Sequence, residues 1–144
     1  MKTAIIKKSD LDKCIDLLSQ ADYRVVAPRL QPRLEGPDAI DVHVFQEINP
    51  GDEHAIGEGL STTGIKEFLF AKHEPLFAYE KQGKKINITP VSHDFPRTVI
   101  VGVRPCDAAS VGSLNAVFSD SNVGYEDTLF TKRLEQTAFI TYSC

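Results

Sequence analysis

The sequence predicts an α/β (or α+β) layered domain: a mixed sheet, a parallel pair of strands at 98–103 and 137–142, and flanking helices. Three observations predict it. Thr98-Val99-Ile100-Val101-Gly102-Val103 is a continuous, largely β-branched run, the pattern of a strand buried on both faces. Arg104-Pro105 breaks the run, and Ala108, Ala109, Val111, Gly112, Leu114, Val117 and Phe118 follow in a helical pattern. After a second helical stretch at 125–135, carrying Leu129, Phe130 and Leu134, Thr137-Ala138-Phe139-Ile140-Thr141-Tyr142 reads as a final strand. Strand, helix, helix, strand implies a right-handed crossover and parallel pairing.

The earlier elements follow in order. Leu11, Cys14, Ile15, Leu17 and Leu18 recur at helical spacing, so residues 9–21 read as a helix with Ser9 as its N-cap. Cys14 lies on the apolar stripe and reads as a small buried hydrophobe. Tyr23-Arg24-Val25-Val26-Ala27-Pro28 reads as a strand ending at proline. Pro32, Gly36 and Pro37 mark a turn-rich connection. Ile40, Val42 and Val44 alternate on one face of a second strand, which pairs with the first as a hairpin. Residues 47–63, with Asn49-Pro50-Gly51 and four acidic groups, read as an exposed loop. Thr62 or Thr63 is placed to cap a short helix through Ile65, Phe68 and Leu69. Pro75 interrupts it, and Leu76-Phe77-Ala78-Tyr79 forms a second apolar patch. Gln82-Gly83-Lys84-Lys85 is a turn signal, and Ile86-Asn87-Ile88-Thr89 a short strand.

Composition excludes several classes. The 144 residues suit one domain, 42% are hydrophobic and 25% charged, and the net charge is −4. No clustered basic face suggests nucleic acid. No run approaches the roughly 18 apolar residues of a membrane span. The N-terminus has only three consecutive apolar residues, too few for a secretory signal, so a cytoplasmic protein is expected. His43, His54, His73 and His93 are scattered, without the i, i+4 spacing of a helical zinc pair. No P-loop, G-x-S-x-G or G-x-G-x-x-G occurs, and Gly57-Glu58-Gly59 lies in a loop.

Chemistry concentrates at Gly102-Val103-Arg104-Pro105-Cys106-Asp107-Ala108. In open α/β sheets, ligands sit beyond the carboxyl ends of strands. Pro105 suits the first position of a helix, which puts Cys106 in the first turn. Free N–H groups and the helix dipole favour negative charge there, and Arg104 adds a positive charge. A thiolate is what a cluster, a metal or a nucleophilic step requires. The plain alternative is that Cys106 or Asp107 only caps the helix. Cys144 follows the final strand, in the position equivalent to Cys106. If the two strands are parallel neighbours, both thiols lie on one edge of the sheet. The chain has three cysteines, Cys14, Cys106 and Cys144, and no C-x-x-C, so it is not a disulfide framework. A cluster generally takes four thiolates.

Several segments together carry a resemblance. Asp41-Val42-His43-Val44-Phe45-Gln46-Glu47-Ile48 is followed by Ser61-Thr62-Thr63-Gly64-Ile65-Lys66-Glu67-Phe68-Leu69-Phe70-Ala71-Lys72-His73-Glu74-Pro75-Leu76-Phe77. Gly102-Val103-Arg104-Pro105-Cys106-Asp107-Ala108 comes next. Most of residues 25–144 resemble the N-terminal region of 4Fe-4S dicluster proteins, the beta subunits of cytoplasmic nickel–iron sulfhydrogenases. The same region is similar to the A-type polypeptide of anaerobic sulfite reductase. The resemblance implies that residues 1–144 are a single domain, the N-terminal part of a longer iron–sulfur subunit, or a short version with its clusters on a separate chain. In the family a C-terminal ferredoxin-like region with C-x-x-C motifs holds the two 4Fe-4S clusters; whether this chain alone holds any stays open. The carried-over site is Arg104, Cys106 and Asp107, facing the cluster or a neighbouring subunit, with Cys144 added by position. Cys106 and Cys144 are the candidate metal ligands.

Three functions compete. The first is a domain of an electron-transfer subunit in a hydrogenase or anaerobic reductase complex, whose partners are other subunits or the ferredoxin-like region. The second is a thiol-based enzyme or sensor using Cys106, which needs a base nearby. The third is a non-redox scaffold that docks through Phe68-Leu69-Phe70 and Leu76-Phe77, aromatics that more commonly build a core.

Overall fold

The computed structural model describes residues 5–33, 40–119, 124 and 126–142. The helices are α1 (Leu11–Gln20), α2 (Pro105–Phe118) and α3 (Thr128–Glu135). The strands are β1 (Arg24–Pro32), β2 (Asp41–Glu47), β3 (Phe77–Gln82), β4 (Lys85–Pro90), β5 (Thr98–Val103) and β6 (Thr137–Thr141). Four strands form one mixed sheet in the order β2-β1-β5-β6. β1 and β2 are antiparallel, whereas β5 is parallel to both β1 and β6. The α/β class and the predicted parallel pair are both present. β3 and β4 form a separate two-stranded antiparallel sheet. Among the described residues, no helix is long and apolar enough to cross a membrane.

Alternation along β1 and β5 sorts the core into two layers. Val25, Ala27, Val99 and Val101 pack with Leu11 and Ile15 of α1 on one face. Val26, Ile100 and Val103 pack with Val111 of α2 and Phe130 of α3 on the other. Every residue of β5 is buried. Burial of each Val or Ile there contributes about 1.5–3 kcal/mol. Phe70 reinforces the second face, with its ring 4.6 Å from Phe118 and 4.8 Å from Phe130.

The boundaries of α1 differ from expectation. Leu11, Ile15 and half-buried Leu18 face the sheet, Cys14 is half-buried beside them, and Leu17 is exposed. Ser9 does not cap this helix. It lies in a 3-10 turn at Lys8–Asp10, and no side chain caps α1. The helix ends where Asp22 takes a left-handed conformation, φ 60°. The Tyr23 N–H then reaches the Leu18 carbonyl and the Asp22 N–H reaches Ser19, each at 3.1 Å. In α3, by contrast, Asp127 caps as its residue type predicts, accepting from the Leu129 and Phe130 N–H groups at 3.0 Å.

β1 does not stop at Pro28. Ile48 N–H donates to Val25 and Arg33 N–H to Ile40, which puts the odd-numbered residues of β1 on the bonding side toward β2. Pro28 and Pro32 fall on the other side, where pairing with β5 has already ended at Val26. Their missing N–H groups therefore cost no ladder bond.

Residues 47–63 are not a wholly exposed loop: Ile48, Ala55 and Ile56 are buried. The cause is the parting of β1 from β5 after Val26. The loop enters that gap, with the Ala55 N–H on the Pro28 carbonyl at 2.7 Å and Ile56 against Gly102. Thr62 and Thr63 do not act as helix caps either. Gly64 precedes the 3-10 turn Ile65–Phe68 without a side-chain bond. Thr62 donates its hydroxyl to the His43 carbonyl at 3.1 Å, and Thr63 Oγ1 accepts from the Phe45 N–H at 3.0 Å. Both satisfy backbone groups along β2, an edge strand. The apolar run beyond them splits. Leu69 is fully buried, whereas Leu76 and Phe77 are exposed.

Candidate functional site

The site begins with a bulge in β5. Gly102 has φ +79°, a left-handed conformation that glycine adopts without steric cost. A Cβ there would meet Ile56 at 2.9 Å and Pro28 at 3.1 Å. Pairing with β6 shifts register between Val101 and Val103. One residue is inserted, so Val103 turns to the α2 and α3 face rather than continuing the alternation. The next residue, Arg104, is re-aimed with it. Its Nε donates to the Tyr142 hydroxyl at 3.0 Å and one terminal NH2 reaches the Gly59 carbonyl at 3.4 Å. Arg104 thus ties the ends of β5 and β6 to the loop that fills the gap.

Pro105 then opens α2 at its first position, as its ring geometry favours. Cys106 lies in the first turn and is exposed, and Asp107 follows, also exposed. A carboxylate in the first turn is well placed against the helix dipole. Neither Cys106 nor Asp107 is the N-cap: that position is Arg104, and it makes no side-chain cap bond. Arg104, Cys106 and Asp107 line one open cleft of about 140 Å³. Gly57, Gly59, Ser61 and Tyr142 complete its polar and backbone lining. Of these, the sequence singled out only Arg104, Cys106 and Asp107. The signal for the rest was a glycine inside a buried strand, Gly102, since such a glycine marks a bulge or a close approach.

The cysteines do not converge among the described residues. Cys14 is on α1, which packs on the sheet face opposite to α2. Cys144 lies outside the described residues, so its expected place beside Cys106 is not described. No group of three or more His, Cys, Asp or Glu side chains is arranged to hold a metal among the described residues. A cluster takes four thiolates, and the cleft offers one. The described residues therefore do not fit a 4Fe-4S cluster by themselves.

A larger cleft of about 590 Å³ lies on the other side of the same loop, lined by Asp12, Asp16, Arg29, Asp52, Glu53, His54 and Glu58 among others. His54 Nε2 bonds Asp12 Oδ1 at 2.9 Å, and Arg29 faces Asp52 at 3.6 Å. Sequence reasoning missed this cleft because its carboxylates come from α1 and from residues about 40 positions later. Two other histidines make packing contacts. The His43 ring fills the space that a Cβ on Gly59 would need, and His93 stacks on Phe95 at 6.0 Å.

Comparison with protein-family models, with curated proteins and with solved structures finds no match to this chain.

Proposed function

We propose that this chain is a domain of an iron–sulfur electron-transfer subunit of a hydrogenase or anaerobic reductase complex, and that it docks or completes the cluster-bearing region. The observation that carries this reading is the exposed Cys106 in the first turn of α2, beyond the carboxyl end of the fully buried β5. It sits inside the Gly102–Ala108 segment, one of several that together carry the resemblance to the dicluster proteins. The partner is another subunit or a ferredoxin-like region, in a cytoplasmic, anaerobic setting. A role in electron transfer asks for position rather than for acid–base groups. Among the described residues, no histidine or lysine lines the cleft beside Cys106, which counts against a thiol enzyme. The clusters are assigned to the partner, because the described residues offer a single thiol at this cleft.

The test is iron and acid-labile sulfide analysis under anaerobic conditions, on the chain alone and on the assembly captured with it. We expect a folded, iron-poor chain and an assembly holding about four iron atoms or more per chain. Cys106→Ser should lower that iron or the yield of the assembly. An iron-free assembly, indifferent to Cys106→Ser, overturns the reading. Rapid thiol labelling at Cys106 in that iron-free protein would instead support a thiol-based enzyme or sensor.

A further inference from the structure

We propose that the β3–β4 hairpin is a self-association surface, its apolar face covered by the same face of a second copy of this chain. The register pairs Phe77 with Pro90, Tyr79 with Ile88 and Lys81 with Ile86. Side chains alternate across a strand, so these six share one face. Ala78, Glu80, Gln82, Lys85, Asn87 and Thr89 share the other. One face is therefore apolar with a single lysine, and the opposite face is polar. Every residue of both strands is exposed. A two-stranded hairpin in water is marginal without a layer to pack on. The four-stranded sheet provides no such layer for this face.

Area and charge argue for a second copy. Phe77, Tyr79, Ile86 and Ile88 leave 58–77% of their surfaces exposed. With aromatic side chains burying ~150–250 Å² each, the face offers about 500 Å². Doubled across a two-fold axis this is about 1,000 Å², the lower bound for a specific interface. The face is also self-complementary. A two-fold through the Tyr79–Ile88 row brings the Lys81–Ile86 row of one copy over the Phe77–Pro90 row of the other. Lys81 then meets an aromatic face instead of its own symmetry mate. A layer of two hairpins gives each the packing surface it lacks.

The test is sedimentation equilibrium of the whole chain, from low micromolar to a few hundred micromolar. We expect the mass to rise toward twice the 15.9 kDa of one chain. Ile88→Lys on the apolar face should weaken association about tenfold or more. Asn87→Lys, next along β4 but on the polar face, should leave it unchanged. A single-chain mass throughout overturns the proposal and assigns the face to a different partner. Equal loss in both variants also overturns it, because the contact would then be through a strand edge or general charge. These readouts are independent of iron content, so they stand or fall apart from the redox reading.

Discussion

β5 and the two strands of the β3–β4 hairpin are each six residues long, yet β5 is apolar after Thr98, the hairpin largely alternates apolar and polar residues, and they live in opposite environments. β5 is buried at all six positions, while all twelve hairpin positions are exposed. β5 is held by packing from both faces: α1 on one side, α2 and α3 on the other. The hairpin is held by its own cross-strand pairs, which contribute only about 0.2–1 kcal/mol each. The difference teaches that stability and recognition are divided in this chain. The sheet and helices fix the Gly102–Asp107 turn in place, and the hairpin leaves an apolar surface for contact.

Three substitutions would break or sharpen that division. The largest effect is expected at Phe130, which is fully buried and meets both Phe70 and Phe118. Phe130→Ala should cost about 3–5 kcal/mol in denaturant unfolding. A loss below about 1 kcal/mol would show that the α3 face is not a packed layer. Next is Gly102→Ala. It combines a left-handed φ with contacts of 2.9–3.1 Å to Ile56 and Pro28. Strain of about 1–2 kcal/mol and crowding of about 1–3 kcal/mol together predict a loss of about 2–5 kcal/mol. A neutral result would mean that the bulge relaxes, and Arg104 would then lose its fixed aim. The smallest effect is expected at Ile88→Lys. In dilute solution, where self-association does not contribute, unfolding should shift by no more than about 0.5 kcal/mol. A larger shift would show the hairpin packed on the core, contrary to its exposure.

Legibility in the sequence follows the range of the forces involved. The Thr98–Val103 run, the Pro105 break and the helical stretch at 125–135 are local signals, and a strand and two helices formed there. The expectation of a strand end at Pro28 failed because proline's effect depends on which side of the strand needs a donor. That is set by the partner strand, not by residue 28. The loop at 47–63 departs from expectation for a similar reason. Asn49-Pro50-Gly51 does make a turn, but Ala55 and Ile56 are buried by a gap between β1 and β5, strands separated by more than 60 residues.

The sequence by itself determined the α/β class, the buried parallel strand, the helix opened by Pro105 and the place of Cys106 in its first turn. Hydrophobic periodicity and backbone chemistry act over a few neighbouring residues, so these could be read directly. Only the tertiary structure decided that Gly102 bulges, that Arg104 reaches Tyr142 and Gly59, and that Cys14 and Cys106 sit on opposite faces of the sheet. It also decided that the hairpin keeps an apolar face in the open. Each depends on which distant segments meet, because burial and side-chain contact are properties of the packed chain.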